Sequence, residues 1–126
     1  MPLVTLTVRT PKTAAFKAGV LDAVHACLVS TGVPAADVFQ RVHELDAENF
    51  RYDARYPDLP APRTDDFVLI EVLWSVGRSV KVKRNLLAEL MDKLSILGHD
   101  PENVMVAFNE TSWENWSFGG GRQFYA

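Results

Sequence analysis

The sequence predicts an α+β domain, of the kind also classed as α/β, in which two βαβ units form a four-stranded sheet with both helices on one face. Each half of the chain contains strand, helix and strand signals in the same order. The halves also resemble one another, since Gly32–Val38 is similar to Gly98–Val104. We therefore predict one domain over 1–126, with repeats at about 2–50 and 67–112.

The first repeat opens with an apolar alternation from Pro2 to Val8, which predicts a strand. Thr10 as N-cap and Pro11 as first helical residue predict where the helix begins. Gly32 predicts its end, and 38–45 is the predicted second strand. The apolar stripe of this helix consists of Phe16, Val20, Val24, Cys27 and Leu28.

The second repeat opens with the mostly apolar run 67–74, which is typical of a covered strand. Ser79 is the predicted N-cap of the second helix, Gly98 predicts its end, and 104–108 is the predicted fourth strand. The apolar stripe of this helix consists of Leu86, Leu87, Leu90, Leu94 and Leu97.

Two helices on one face leave the other sheet face without a cover inside the chain, so we expect self-association. Three prolines in 52–66 predict an extended loop between the repeats. The tail at 113–126 contains two Trp, two Phe and one Tyr. Because it is too aromatic for a disordered segment, we expect it to pack, with a neighbouring subunit as one candidate surface.

Composition and charge exclude several classes of function. The net charge of −3 gives no reason to expect nucleic-acid binding. Cys27 is the only cysteine, which excludes an internal disulfide, and its place on the helix stripe indicates packing. Three dispersed histidines do not indicate a metal site, and no cofactor is expected. Without a predicted signal peptide or membrane span, we expect a cytoplasmic protein.

Pro2 is the strongest candidate for chemistry because it directly follows Met1. Removal of Met1 would leave a secondary amine at the start of the first strand. An α-amino group has an ordinary pKa of about 7.7–8.0, and burial lowers it by disfavouring the cation. Such a base suits proton abstraction next to a carbonyl. Retention of Met1 would turn the amine into an amide without basicity.

A proline at position 2 on a strand, two βαβ halves and an aromatic tail occur together with several short stretches spread over the chain. These stretches are Gly32-Val33-Pro34 with Asp37, Gln40 and Val42-His43-Glu44, then Pro62-Arg63-Thr64, Val104-Met105-Val106, Trp116-Ser117-Phe118-Gly119, Gly121-Arg122 and Gln123-Phe124. Together they resemble the tautomerase superfamily, which includes 4-oxalocrotonate tautomerase and macrophage migration inhibitory factor, and within it the malonate semialdehyde decarboxylase branch. The resemblance implies a homotrimer of βαβ repeats with three sites near subunit interfaces, each containing the N-terminal proline.

The resemblance also implies roles for individual residues. Pro2 matches the catalytic proline, and Asp37 matches the aspartate that assists water or polarises the substrate. The residues that match an aromatic wall near the proline are Trp116, Phe118 and Phe124.

The decarboxylases hold the substrate carboxylate with two arginines just after the third strand. In this chain Trp74 and Val76 occupy those positions, and Trp74 is expected to shape an apolar wall instead. Arg78 is the first candidate to hold a carboxylate, and Arg41, on the strand face of Phe39, is the second.

The sequence therefore predicts a cofactor-independent tautomerase acting on a small 2-oxo acid, with Pro2 as general base and acid. One alternative is a decarboxylase or hydratase, in which cationic Pro2 is an acid and Asp37 positions water. A non-catalytic trimeric interaction protein is the other alternative.

Overall fold

A computed structural model describes residues 1–123 and confirms the predicted architecture of four strands and two helices. The strands lie in the order β2-β1-β3-β4. Within each repeat the strands are parallel, and β1 and β3 join the repeats as an antiparallel pair. The elements are β1 (Leu3–Arg9), α1 (Ala14–Ser30), β2 (Gln40–Leu45), β3 (Val68–Ser75), α2 (Val80–Ile96) and β4 (Val104–Thr111), with short 3₁₀ turns at Pro101–Asn103 and Trp113–Asn115.

The predicted beginning of the first helix at Thr10 and Pro11 is wrong. The backbone N–H of Thr10 donates to the Leu45 carbonyl at 2.8 Å, which prolongs the pairing of β1 with β2. Helix α1 begins after Thr13, whose hydroxyl accepts a hydrogen bond from the Phe16 N–H at 3.0 Å. Thr10 therefore pairs with β2, although its place before Pro11 in the sequence resembles a helix cap.

The predicted limits of the second helix are confirmed. The hydroxyl of Ser79 accepts a hydrogen bond from the Val82 N–H at 3.2 Å, and Gly98 follows the helix with φ of +94°. That left-handed conformation favours glycine. The predicted apolar stripe is wrong at its last residue, Leu97, which is 54% exposed.

One continuous core lies between the sheet and both helices. Alternate residues of the two central strands face it, and α1 and α2 close it from the same side. The buried core residues on the strands are Val4, Leu6, Val8, Val68, Ile70, Val72 and Trp74, and those on the helices are Val20, Ala23, Val24, Cys27, Leu28, Leu86, Leu90 and Leu94.

The opposite sheet face has no helix over it within residues 1–123. By alternation, Leu69 and Leu73 of β3 point to this face. Met105 of β4 also lies there and is 48% exposed. The sheet therefore presents apolar side chains that this part of the chain leaves uncovered.

Residues 46–67 contain no helix or strand, as the proline-rich composition predicts. They are held against the end of β1 by Tyr52, whose ring lies 4.1 Å from the Arg9 guanidinium carbon and 4.3 Å from the Phe67 ring. In the described part of the chain, no helix has the length and apolar composition needed to cross a membrane.

Candidate active site

The strand register assembles the candidate site where β1 begins and β3 ends. Continued by two residues, the pairing of β1 with β3 places Pro2 opposite Trp74 and Met1 opposite Ser75. Continued in the same way, the pairing of β1 with β2 places Met1 beside Asp37. An ion pair supports this extension, since the Met1 amine lies 3.1 Å from the Asp37 carboxylate Oδ2.

Pro2 is buried, and Met1 is only 8% exposed. While Met1 is attached, the Pro2 nitrogen is an amide and cannot take up a proton. Removal of Met1 would turn that nitrogen into an amine in a buried position close to Asp37. The geometry therefore fits the predicted chemistry after processing of the N-terminus.

Asp37 is presented by a tight turn between α1 and β2. Its backbone N–H donates to the Pro34 carbonyl, and the Val38 N–H donates to the Ala36 carbonyl, both at 3.0 Å. The carboxylate is 16% exposed. These bonds fix the backbone at Asp37, and its carboxylate pairs with the first nitrogen of the chain, that of Met1.

Trp74 lies in the core and does not form an open wall in this subunit. It is fully buried because alternation along β3 places it on the helix face with Val72. Its ring stacks on Phe108 at 5.3 Å, and the Arg78 guanidinium carbon lies 4.5 Å from its centroid. The Arg78 Nη1 also donates to the Ser75 carbonyl at 2.7 Å. The Trp74 ring therefore packs against the Arg78 guanidinium.

The second carboxylate candidate, Arg41, lies elsewhere. It pairs with Thr5, which points away from the helices, and its Nε donates to the Thr5 Oγ1 at 2.8 Å. Met1 and Ser75 lie on this same sheet face, but Thr5 is four residues along β1 from Met1. The bond to Thr5 therefore holds the Arg41 guanidinium further along the sheet, whereas Arg78 is bonded to Ser75 beside the start of β1.

The aromatic residues of the tail come back to the same end of the sheet. Trp116 and Phe118 stack with ring centroids 5.9 Å apart. Phe118 also contacts Phe39 at 5.7 Å, and the Phe39 carbonyl accepts a hydrogen bond from the Val4 N–H. Phe39 therefore belongs to this aromatic cluster, a place that the sequence did not predict for it, although it comes two residues after Asp37. Phe124, the third predicted wall residue, lies outside the described residues.

Two other features can be set apart from this site. A cleft of about 640 Å³ lies at the other end of the sheet, lined by residues that include Phe16, His99 and Asn103, and it contains none of the predicted site residues. Burial lowers the pKa of His99 there. Burial also raises the pKa of Cys27 to about 11, so its thiol is protonated and a poor nucleophile at neutral pH.

Comparisons with known proteins find similar sequences and similar folds. The sequence model of a family described as "Tautomerase enzyme" matches residues 37–119. The chain is 27% identical to the probable tautomerase YusQ of Bacillus subtilis (strain 168) over 124 residues. The aligned region covers 97% of this chain and 96% of YusQ.

Solved structures with the same fold include two of malonate semialdehyde decarboxylase. The FG41 enzyme inhibited by 3-bromopropiolate gives a TM-score of 0.89 at 27% identity, covering 98% of this chain and 93% of that one. A second structure, described as a basis for decarboxylase and hydratase activities, gives a TM-score of 0.87 at 31% identity and covers 96% of this chain and 93% of that one. A wild-type fused 4-OT that forms a symmetric trimer gives 0.73 at 24% identity, covering 96% and 94%.

Proposed function

The chain belongs to the tautomerase enzyme family, and from this premise we propose that it catalyses keto–enol tautomerisation of a small 2-oxo acid. In this proposal Met1 is removed, and the Pro2 amine acts as general base and acid. The observation that carries the proposal is the buried start of β1, where the amine of Met1, the residue directly before Pro2, lies 3.1 Å from a carboxylate oxygen of Asp37.

Arg78 is the group that would hold the substrate carboxylate. A guanidinium has five N–H donors in a planar fork, so the bond that Arg78 makes to the Ser75 carbonyl leaves donors for a bidentate contact. The stack on Trp74 fixes the plane of the fork. Trp116 and Phe118 would exclude water from the amine, which strengthens the electrostatic interactions inside the site.

The proton transfer needs no other reactant. The neutral Pro2 amine removes a proton from the carbon next to the substrate carbonyl, and the electron pair of that C–H bond becomes the double bond of the enolate. The resulting Pro2 ammonium then donates the proton to the enolate oxygen, which gives the enol. Arg78 stabilises the negative charge that develops on the way.

The test compares two reactions of purified protein whose intact mass shows loss of Met1. We expect catalysed ketonisation of phenylpyruvate enol, followed by its ultraviolet absorbance, and slow release of acetaldehyde from malonate semialdehyde. Decarboxylation would require a firmly held carboxylate, and the paired arginines of the decarboxylases are replaced here by Trp74 and Val76. Decarboxylation faster than ketonisation would contradict the proposal.

The ion pair of Asp37 with the N-terminal ammonium favours a second candidate, a hydratase. A nearby carboxylate stabilises a cationic amine, and a cationic Pro2 would donate a proton while Asp37 positions water. An acetylenic 2-oxo acid separates the two candidates. A neutral amine adds to the triple bond, and the protein gains the mass of the reagent on Pro2. A cationic amine instead assists the addition of water, and the solution accumulates a diketo acid while the protein mass stays constant.

The uncovered sheet face supports a homotrimer, as in the fused 4-OT relative. Light scattering in dilute neutral buffer should give about three times the chain mass of 14.1 kDa. Leu69→Lys places a charge on this face and should dissociate the assembly. Ile96→Lys is the matched control, because Ile96 on α2 is 85% exposed. A monomeric parent protein at micromolar concentration, or a trimeric Leu69→Lys variant, would contradict this assembly.

A further inference from the structure

The hydroxyl of Ser75 is a buried polar group without a partner. Ser75 is fully buried at the end of β3, and its Oγ makes no hydrogen bond to any of residues 1–123. Buried side-chain polar atoms in native proteins are nearly always hydrogen-bonded, since leaving one unpaired forfeits its hydration. An orphaned hydroxyl at this position therefore needs an explanation.

The strand register locates this hydroxyl at the candidate site. Ser75 lies opposite Met1 in the continued β1–β3 pairing, and directly opposite residues of an antiparallel pair point to the same face. On its other side Met1 is held by Asp37. Removal of Met1 would therefore vacate a space flanked by an aspartate and by an unpaired serine hydroxyl, directly before the Pro2 amine.

We propose that Ser75 is a substrate-binding residue, whose hydroxyl donates a hydrogen bond to the carbonyl or enolate oxygen of a small 2-oxo acid in the space that Met1 occupies. The inference rests on the proposed function, because it requires both the loss of Met1 and a substrate beside Pro2. It adds a neutral hydroxyl donor to a site in which only the cationic Arg78 was assigned to the substrate.

The position of Arg78 supports this division of roles. Its Nη1 donates to the backbone carbonyl of Ser75 at 2.7 Å. This bond holds the guanidinium next to the residue that carries the hydroxyl. Arg78 would bind the carboxylate of the substrate, and Ser75 would bind the adjacent carbonyl oxygen. A donor fixed before the reaction stabilises an enolate better than water, which must reorient.

Ser75→Ala tests the proposal through activity and stability together. We expect kcat/KM for phenylpyruvate ketonisation to fall about tenfold to a hundredfold, the range for losing a hydrogen bond to a charged group. The thermal midpoint should stay the same or rise, because the variant removes an unpaired buried hydroxyl. Unchanged kinetics would overturn the proposal. A marked fall in the midpoint would also overturn it, since it would show that the hydroxyl stabilises the fold instead.

Thr7→Val is the matched control. Thr7 is 6% exposed and lies on the same sheet face, and its partner Leu69 is six residues from Ser75, or about 20 Å along β3. Its kinetics should match those of the parent protein, and an equal loss would overturn the assignment to Ser75. Pro2→Ala separates the two proposals. Full activity of Pro2→Ala would refute the proline mechanism. An inactive Pro2→Ala together with a fully active Ser75→Ala would refute only the role of Ser75.

Discussion

Pro2→Ala is expected to lower kcat for phenylpyruvate ketonisation by about 100-fold or more, the usual loss on removing a general base. The variant keeps an N-terminal amine at the same place, but that amine is primary and no longer held in a ring. Pro2 is buried at the start of β1, so a misplaced or more mobile nitrogen loses its alignment with the substrate. Steady-state rates at neutral pH measure the effect.

The control for this variant is Pro60→Ala, which changes an exposed proline in the loop between the repeats. Intact mass must show that Met1 is absent from parent, variant and control, since an attached Met1 blocks the nitrogen in all three. Turnover of Pro2→Ala equal to that of the control would refute proline catalysis.

Much of the fold could be predicted because local patterns and tertiary packing agree. The period-two alternation in the first strand and the leucine spacing in the second helix correspond to buried faces in the structure. The start of α1 could not be predicted, because the pairing of Thr10 with Leu45 depends on a strand far along the chain. A local cap pattern contains no information about that pairing.

The site shows the same division. Pro2 and Asp37 were predicted from the sequence, and the ion pair of Asp37 with the Met1 amine places Asp37 beside the residue that precedes Pro2. The surroundings of other side chains were harder to predict: Trp74 is in the core, and Arg41 is bonded to Thr5, four residues along β1 from Met1. Ser75 gave no sequence signal, since the proposal for it rests on a hydroxyl that is buried without a hydrogen-bond partner among residues 1–123.

Arg78→Ala is expected to lower kcat/KM for phenylpyruvate by about tenfold to a hundredfold, because a charge-assisted hydrogen bond contributes about 1.5–3 kcal/mol. Arg78→Lys should recover part of this loss, since an ammonium keeps the charge and lacks the planar fork. Arg41→Ala is the competing variant. Arg41 bonds to Thr5, four residues along β1 from Met1, so a larger effect of Arg41→Ala would show that Arg41, and not Arg78, holds the carboxylate.

The methyl ester of phenylpyruvate identifies the interaction that is lost. The ester keeps the carbonyl and the acidic C–H bond but has no charged carboxylate. If Arg78 binds that carboxylate, the parent protein and Arg78→Ala should process the ester at similar rates, and the parent should prefer the acid by the same factor that the variant loses. An equal loss on acid and ester would mean instead that Arg78 acts through its stack on Trp74 and its bond to Ser75. In that case the carboxylate must be bound by another cation.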